Sequence, residues 1–256
     1  MNRFIPDVLH NLQKAGRLSP AALDAIKLVA LLAMLIDHIN TVFMTPAQPL
    51  MYALGRMAFP LFTLIWAMNV HRSPERLQMR ANRLWIWAVI TQPVFSLAFQ
   101  HHQPWWAMNI LFVFAGVTQL LALQHRYGKK GCLAGGLLLA LMIFPLQPAS
   151  YGLAGITLAI SLAAITSGTD SERKGTAMCT AVLSLLCLNG FTHLLSMPAE
   201  TLLLATLPTL GFPLIASSLC MDICPEGLPR FMPRNFFYYA YAGHLGIIVL
   251  IQYTFA

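Results

Sequence analysis

Asp37, His38 and Asn40 lie within AMLIDHINTVF, residues 33 to 43, a run whose other residues suit the interior of a lipid bilayer. Polar groups are costly in hydrocarbon, so a cluster of this kind is read first as part of a site. Histidine brings a base poised near neutral pH, and its unperturbed imidazole titrates at about 6.5. Neighbouring helical residues point about 100° apart, so Asp37 cannot orient His38, and each needs a partner from another segment. For Asp37 that partner is expected to be Arg56. The short stretch 45 to 51 joins two apolar runs into a hairpin, and the two charges stand about seven and about five residues from it, at nearly equal depth. Such a pair has a plain structural meaning as well, since a matched buried charge locks a hairpin.

A second histidine, His244, sits in YYAYAGHLGII of the last apolar run, and Tyr238, Tyr241 and His244 recur every three residues on one helical face. That face could simply pack. Counted from the inner ends of their runs, His38 lies about 16 Å deep and His244 about 12 Å, so a shared site requires tilted helices. His101 and His102 in HHQPWW have no Cys, Asp or Glu nearby to complete a ligand set and are read as interfacial, as is His193 at its span end. No metal site is expected. The sequence also lacks a glycine-rich phosphate loop, a nucleophile elbow and a metalloprotease helix.

Arg72, Arg76, Arg80 and Arg83 punctuate HRSPERLQMRANRLW. Drawn as one helix, they project within about 80° of each other. Guanidinium groups bind phosphate in a bidentate manner, so the stripe suits a phosphorylated ligand; positive charge near a membrane also sets topology and attracts anionic lipid.

These residues must be held by something, and composition says what. The 256 residues are 57% hydrophobic and 10% charged, with a mean hydropathy of +0.65, against roughly 25% charged in soluble domains. The reading is an all-α, polytopic membrane helix bundle forming a single integral domain over 1–256, with 1–22 cytoplasmic or interfacial. Apolar runs near the ~20 residues of a span fall at roughly 23–44, 52–70, 84–100, 106–123, 131–147, 151–166, 176–195, 200–221 and 236–255. With about nine transmembrane helices and a cytoplasmic N-terminus, all but one of the 16 Lys and Arg lie on the inner side, and Arg56 is the exception. The net charge of +7 thus follows from topology and does not call for a nucleic-acid partner. Ser19-Pro20 marks a helix start. Trp85, Trp87, Trp105, Trp106, Tyr52 and Tyr151 sit near span ends as interfacial aromatics. The odd set of Cys132, Cys179, Cys187, Cys220 and Cys224 forms no disulfide framework and is read as packing.

LDAIKLVALLAMLIDHINTVF, LGRMAFPLFTLIWAMNVHR, NRLWIWAVITQP, NILFVFAGVTQ and SYGLAG together resemble the TraX family of conjugative pilin acetylation proteins over most of residues 23 to 166. A wider resemblance is to acyltransferase-3 type membrane acyltransferases, whose first helix reads approximately LDGLRGIAALLVVLFH. Asp24 is retained, Lys27 stands for the arginine, and His38 falls on the catalytic histidine. Arg80 and Arg83 match that family's basic inner segment, and Tyr238, Tyr241 and His244 its Tyr-x-x-Tyr-x-x-His. Asp37, Lys27 and the scarcity of glycine depart from the pattern. The resemblance implies a multi-pass protein of the bacterial inner membrane that acetylates the N-terminal α-amine of a pilin subunit in the bilayer, with acetyl-CoA as donor. His38 would be the base, with Tyr241 and His244 beside it, and Arg56 or Asn40 would polarise the thioester carbonyl. Lys27, Arg72, Arg76, Arg80 and Arg83 would hold the coenzyme A phosphates at a mouth from which the pantetheine arm reaches His38. The residues alone also suit a proton-coupled transporter or a non-catalytic pilin assembly factor.

Overall fold

The computed structural model describes residues 19–167, 171–188, 195–225, 227–233 and 235–255. The N-terminal segment, His193 and Arg234 lie outside the described residues. Among those described the chain is helical, with no strand. Helix α1 spans Pro20–Phe43, and its start follows the Ser19-Pro20 signal: Ser19 Oγ accepts from the Ala22 amide at 3.0 Å, with proline in the first turn. The second expected span is broken. Helix α2, Pro49–Gly55, gives way at Arg56 and Met57 to α3, Ala58–Val70. The break lies where Gly55 meets α1, since a Cβ there would stand 2.5 Å from Asp37 Oδ1.

A 3-10 turn, Pro74–Arg76, leads into α4, Leu77–Ala98. Helix α5, Leu111–Leu146, is interrupted at Gly128, whose φ of 60° and ψ of −131° reverse the chain. Its arms, 111–127 and 129–146, pack antiparallel: Cβ atoms at Gly116 and Gly135 would strike Leu139 and Leu120, and one at Gly131 the Leu123 carbonyl. The Met108 amide donates to Pro145 O at 2.8 Å at the far end. The separate runs expected at 106–123 and 131–147 therefore form a hairpin. Helices α6 (Gly152–Thr166), α7 (Ser171–Cys187), α8 (Pro198–Ile223) and α9 (Phe236–Phe255) follow.

Pro49–Val70, Leu111–Leu146, Pro198–Ile223 and Phe236–Thr254 are long and apolar enough to cross a membrane. On the second arm of α5, Leu133, Leu137, Leu141 and Phe144 form a stripe 60% to 78% exposed. An apolar strip of that extent is unfavourable in water and is solvated by lipid. Inside, Val113, Val117, Leu158 and Leu245 are fully buried and join α5, α6 and α9, while Leu23, Ile26, Leu61 and Ile65 lock α1 onto α3.

Hydrogen bonds set the ends of the bundle. His71 Nε2 donates to Ala163 O at 2.9 Å, Thr166 Oγ1 donates to Ala67 O at 3.0 Å, and Gln78 and Gln119 exchange bonds. These bring the end of α3, the start of α4, the end of α6 and the Gly128 end of α5 to one end of the bundle, with Arg72, Arg76 and Arg80 beside them. The start of α1 joins them, because Leu23 and Ile26 pack with Leu64, Ile65 and Met68 toward the end of α3.

Candidate functional site

The pair expected from matching depth is present. Arg56 Nη2 donates to Asp37 Oδ1 at 2.9 Å, with 15% and 21% of the two side chains exposed. Gly55 permits this approach, because any side chain there would occupy the space of the Asp37 carboxylate. Tyr52 and Tyr151, expected only as interfacial aromatics, face the cation instead: Arg56 Cζ lies 4.5 Å from the Tyr52 ring centroid and 5.9 Å from that of Tyr151. Ring faces carry negative potential, so they complete a shell around the guanidinium. Its Nε has no hydrogen-bond partner among the described residues.

His38 and His244 share one site. Nδ1 of His38 and Nε2 of His244 are 2.8 Å apart, and the rings stack with centroids at 5.0 Å and 21° between planes. Phe99 meets His38 edge-on at 5.0 Å. The reach of the two rings spans the difference in depth, which the register of Lys27 of α1 over Phe237 of α9 does not remove. His38 is then eleven residues beyond one and His244 seven beyond the other, which leaves about 6 Å.

Hydrogen-bond logic fixes the tautomers of the neutral pair. His244 Nδ1 lies 3.0 Å from Ala240 O, and a carbonyl only accepts, so that nitrogen carries the proton. His244 Nε2 then accepts, His38 Nδ1 donates, and His38 Nε2 keeps a free lone pair. The chain of bonds thus makes His38 the acceptor of an incoming proton, with His244 holding the ring that accepts it.

A cavity of about 680 Å³ adjoins the site and is bordered by Asp37, His38, Arg56, Tyr151, Thr157 and Ser184 among others. Gln103 and Gln147 on its rim come from the turns following α4 and α5, at the end of the bundle opposite the arginines. None of Lys27, Arg72, Arg76, Arg80 or Arg83 borders it. The passage expected from an arginine-lined mouth to His38 is therefore not formed: along α1 and α4 the interval between them is filled by buried Ala30, Ala33, Met34, Leu84 and Ala88.

The arginine stripe needs correction too. Pro74 and an extended Ser73 (φ −153°, ψ 82°) start α4 only at Leu77, so Arg72 lies off its axis and Arg76 at its cap. Arg80 Nη1 donates to Asn69 O and Val70 O at 2.5 and 3.1 Å and caps α3, while Arg83 lies over the Tyr238 ring at 5.9 Å. Arg72, Arg76 and Arg83 are exposed. Lys27 pairs with buried Asp24 at 3.0 Å. Asn40 likewise has another task. Its Nδ2 donates to Gln48 O at 3.2 Å and its Oδ1 accepts from the Gln48 amide at 2.7 Å, so it staples the turn between α1 and α2 and does not border the cavity. On α9, Tyr241 is buried and Tyr238 stacks on Trp87 at 5.4 Å.

Tyr151 is the residue that reading by type overlooks, because an aromatic near a span end is ordinary. Its signal was local: Ser150-Tyr151-Gly152 follows Pro148, a turn that aims a ring back into the bundle.

Fold and site together define a helical protein with membrane-length apolar helices, a polar centre among them and a cavity reaching it from one end. The chain belongs to the TraX family: a family model described as TraX protein matches residues 22–252. Two proteins named Protein TraX, from Escherichia coli and Escherichia coli strain K12, are 37% and 35% identical to it over 234 residues, which cover 90% of this chain and 87% of each relative. No solved structure matches.

Proposed function

We propose that this protein is a bacterial inner-membrane acetyltransferase that moves acetyl from acetyl-CoA to the N-terminal α-amine of a conjugative pilin subunit. The observation that carries the reading is the His38–His244 pair, which leaves Nε2 unprotonated on His38, a residue that borders the cavity together with Arg56. An α-amine titrates at about 8, so its attack on a thioester calls for a base near neutrality. The amine nitrogen bonds to the carbonyl carbon, His38 Nε2 takes the amine proton, the carbon–sulfur bond breaks, and the thiolate of coenzyme A leaves with a proton returned from His38. The unpartnered Arg56 Nε supports a role for that residue at the carbonyl oxygen. Likeness to acyltransferase-3 enzymes belongs to this reading, as do nine spans, a cytoplasmic N-terminus and a cytoplasmic arginine end.

On this reading the two substrates come from opposite ends. The amine uses the cavity, and the donor leaves its phosphates with exposed Arg72, Arg76 and Arg83, so its acetyl reaches His38 only when the packed helices between that end and His38 part. The one-sided cavity also suits a proton-coupled transporter, which exposes its site to one side at a time. Intact mass of a co-expressed candidate pilin separates the two. Acetylation adds about 42 Da at the N-terminus, and His38→Ala, still inserted, abolishes the gain. An unchanged pilin with wild-type protein, or a gain that survives His38→Ala, defeats the proposal.

A further inference from the structure

We propose that Tyr151 is a positioning residue whose ring face holds the Arg56 guanidinium against Asp37 at the cavity wall. Among the described residues it is the non-glycine residue with positive φ, at 65°. That region crowds Cβ against the neighbouring carbonyl, and bulky side chains adopt it rarely. Strained backbone at a cavity is a recognised mark of a functional constraint. The turn enforces it: the Ser150 amide donates to Leu146 O at 2.9 Å, Ser150 Oγ donates to Met108 O at 2.7 Å, and the Gly155 amide donates to Tyr151 O at 3.2 Å. Gly152 continues the bend with φ 46°, and a Cβ there would strike the Gln147 side chain.

The bend delivers the ring to one place. It stacks on Phe59 at 4.9 Å and 25°, which sets its plane, and stands 5.9 Å from Arg56 Cζ, while Tyr52 lies 4.5 Å from the same atom. The Tyr151 hydroxyl makes no hydrogen bond among the described residues, so the group it contributes is the ring face. Asp37 engages a single guanidinium nitrogen, Nη2. One such bond leaves the guanidinium plane free to turn, and the two rings remove that freedom. Arg56 is thereby held at the cavity wall beside His38. The kinetic consequence rests on the acetyl-transfer reading, whereas the geometry does not.

The test uses the full chain purified in detergent, with Tyr151→Phe, Tyr151→Leu and Tyr151→Asn confirmed as monodisperse. Arg56 is modified with phenylglyoxal, and its rate is followed by peptide mass. Leu and Asn are expected to speed labelling about three- to tenfold, the factor that loss of one cation–π contact is worth, and Phe to restore the wild-type rate. In acetyl transfer, Leu and Asn lower kcat by a similar factor with little change in KM for the amine, and Phe rescues it. Leu and Asn variants that label at the wild-type rate, or a Phe variant that labels as fast as Leu, overturn the inference. A wild-type protein that transfers no acetyl yet shows this labelling pattern supports Tyr151's role and refutes the enzyme reading alone.

Discussion

Replacing His244 by alanine tests the tautomer logic most directly. The bond it removes, 2.8 Å from His38 Nδ1, is what makes the tautomer with a free Nε2 the stable one. His244 is only 8% exposed, so the stranded Nδ1–H of His38 loses its acceptor in a largely dry place, at a cost of about 1–3 kcal/mol. That cost falls on the reactive tautomer alone. At 1.4 kcal/mol per tenfold, its population, and with it kcat, drops about five- to hundredfold. His244 does not border the cavity, so KM for the amine is expected to stay within about twofold. Glutamine at 244 can present its side-chain carbonyl to the same proton, and His244→Gln is expected to recover most of the loss. The assay is the initial rate of N-terminal acetylation of pilin by purified protein, read by mass at varied donor and acceptor. A kcat for His244→Ala within twofold of wild type refutes the reasoning. So does a glutamine variant no better than alanine, which would assign the pair's worth to ring stacking.

Two further outcomes follow from the same geometry. Asp37→Ala strands Arg56; with the pair 15% and 21% exposed, the cost lies between that of a surface and a fully buried pair, about 2 kcal/mol, and thermal unfolding in detergent should show Asp37→Ala combined with Arg56→Ala losing less than the sum of the singles. At the opposite end, Arg76→Glu is expected to raise KM for acetyl-CoA severalfold with unchanged melting, whereas Arg80→Glu lowers the melting temperature because it uncaps α3; equal effects from the two refute the division of labour.

What could be read from the sequence was whatever depth determines. A helix rises about 1.5 Å per residue, so counting from a short turn placed Asp37 against Arg56, and the hairpin geometry allowed little else. The same count nearly matched His38 and His244, leaving a few ångströms of depth that the reach of the two rings closes. The arginine stripe failed for a local reason. Projection assumed a helix from 72 onward, and Pro74 withholds that helix until Leu77. Asn40 failed because backbone partners leave no trace in composition: nothing in AMLIDHINTVF announces that the amide of Gln48 needs an acceptor. The nearness of Tyr151 to Arg56 was not legible because it depends on a positive φ, which a turn sequence suggests only weakly.

Those failures bear on how the site must work. Had the four arginines and His38 lined one channel, a single rigid site could have held donor and acceptor together. Instead the exposed cations and the cavity occupy opposite ends, and eleven residues of α1 separate Lys27 from His38, about 16 Å or half of a ~30 Å hydrocarbon core. A charged nucleotide does not cross that interval, but an uncharged arm can if the helices yield. On that reading the buried core that must yield includes Ala33 of α1 and Ala88 of α4, which present little side chain to displace, and Met34, which is unbranched and flexible. On the proposed acetyl-transfer reading the costly polar cluster has a reason for its position: it stands where a group carried from one face would meet an amine admitted from the other, and bulky residues in place of these alanines should block transfer while leaving the His38–His244 pair intact.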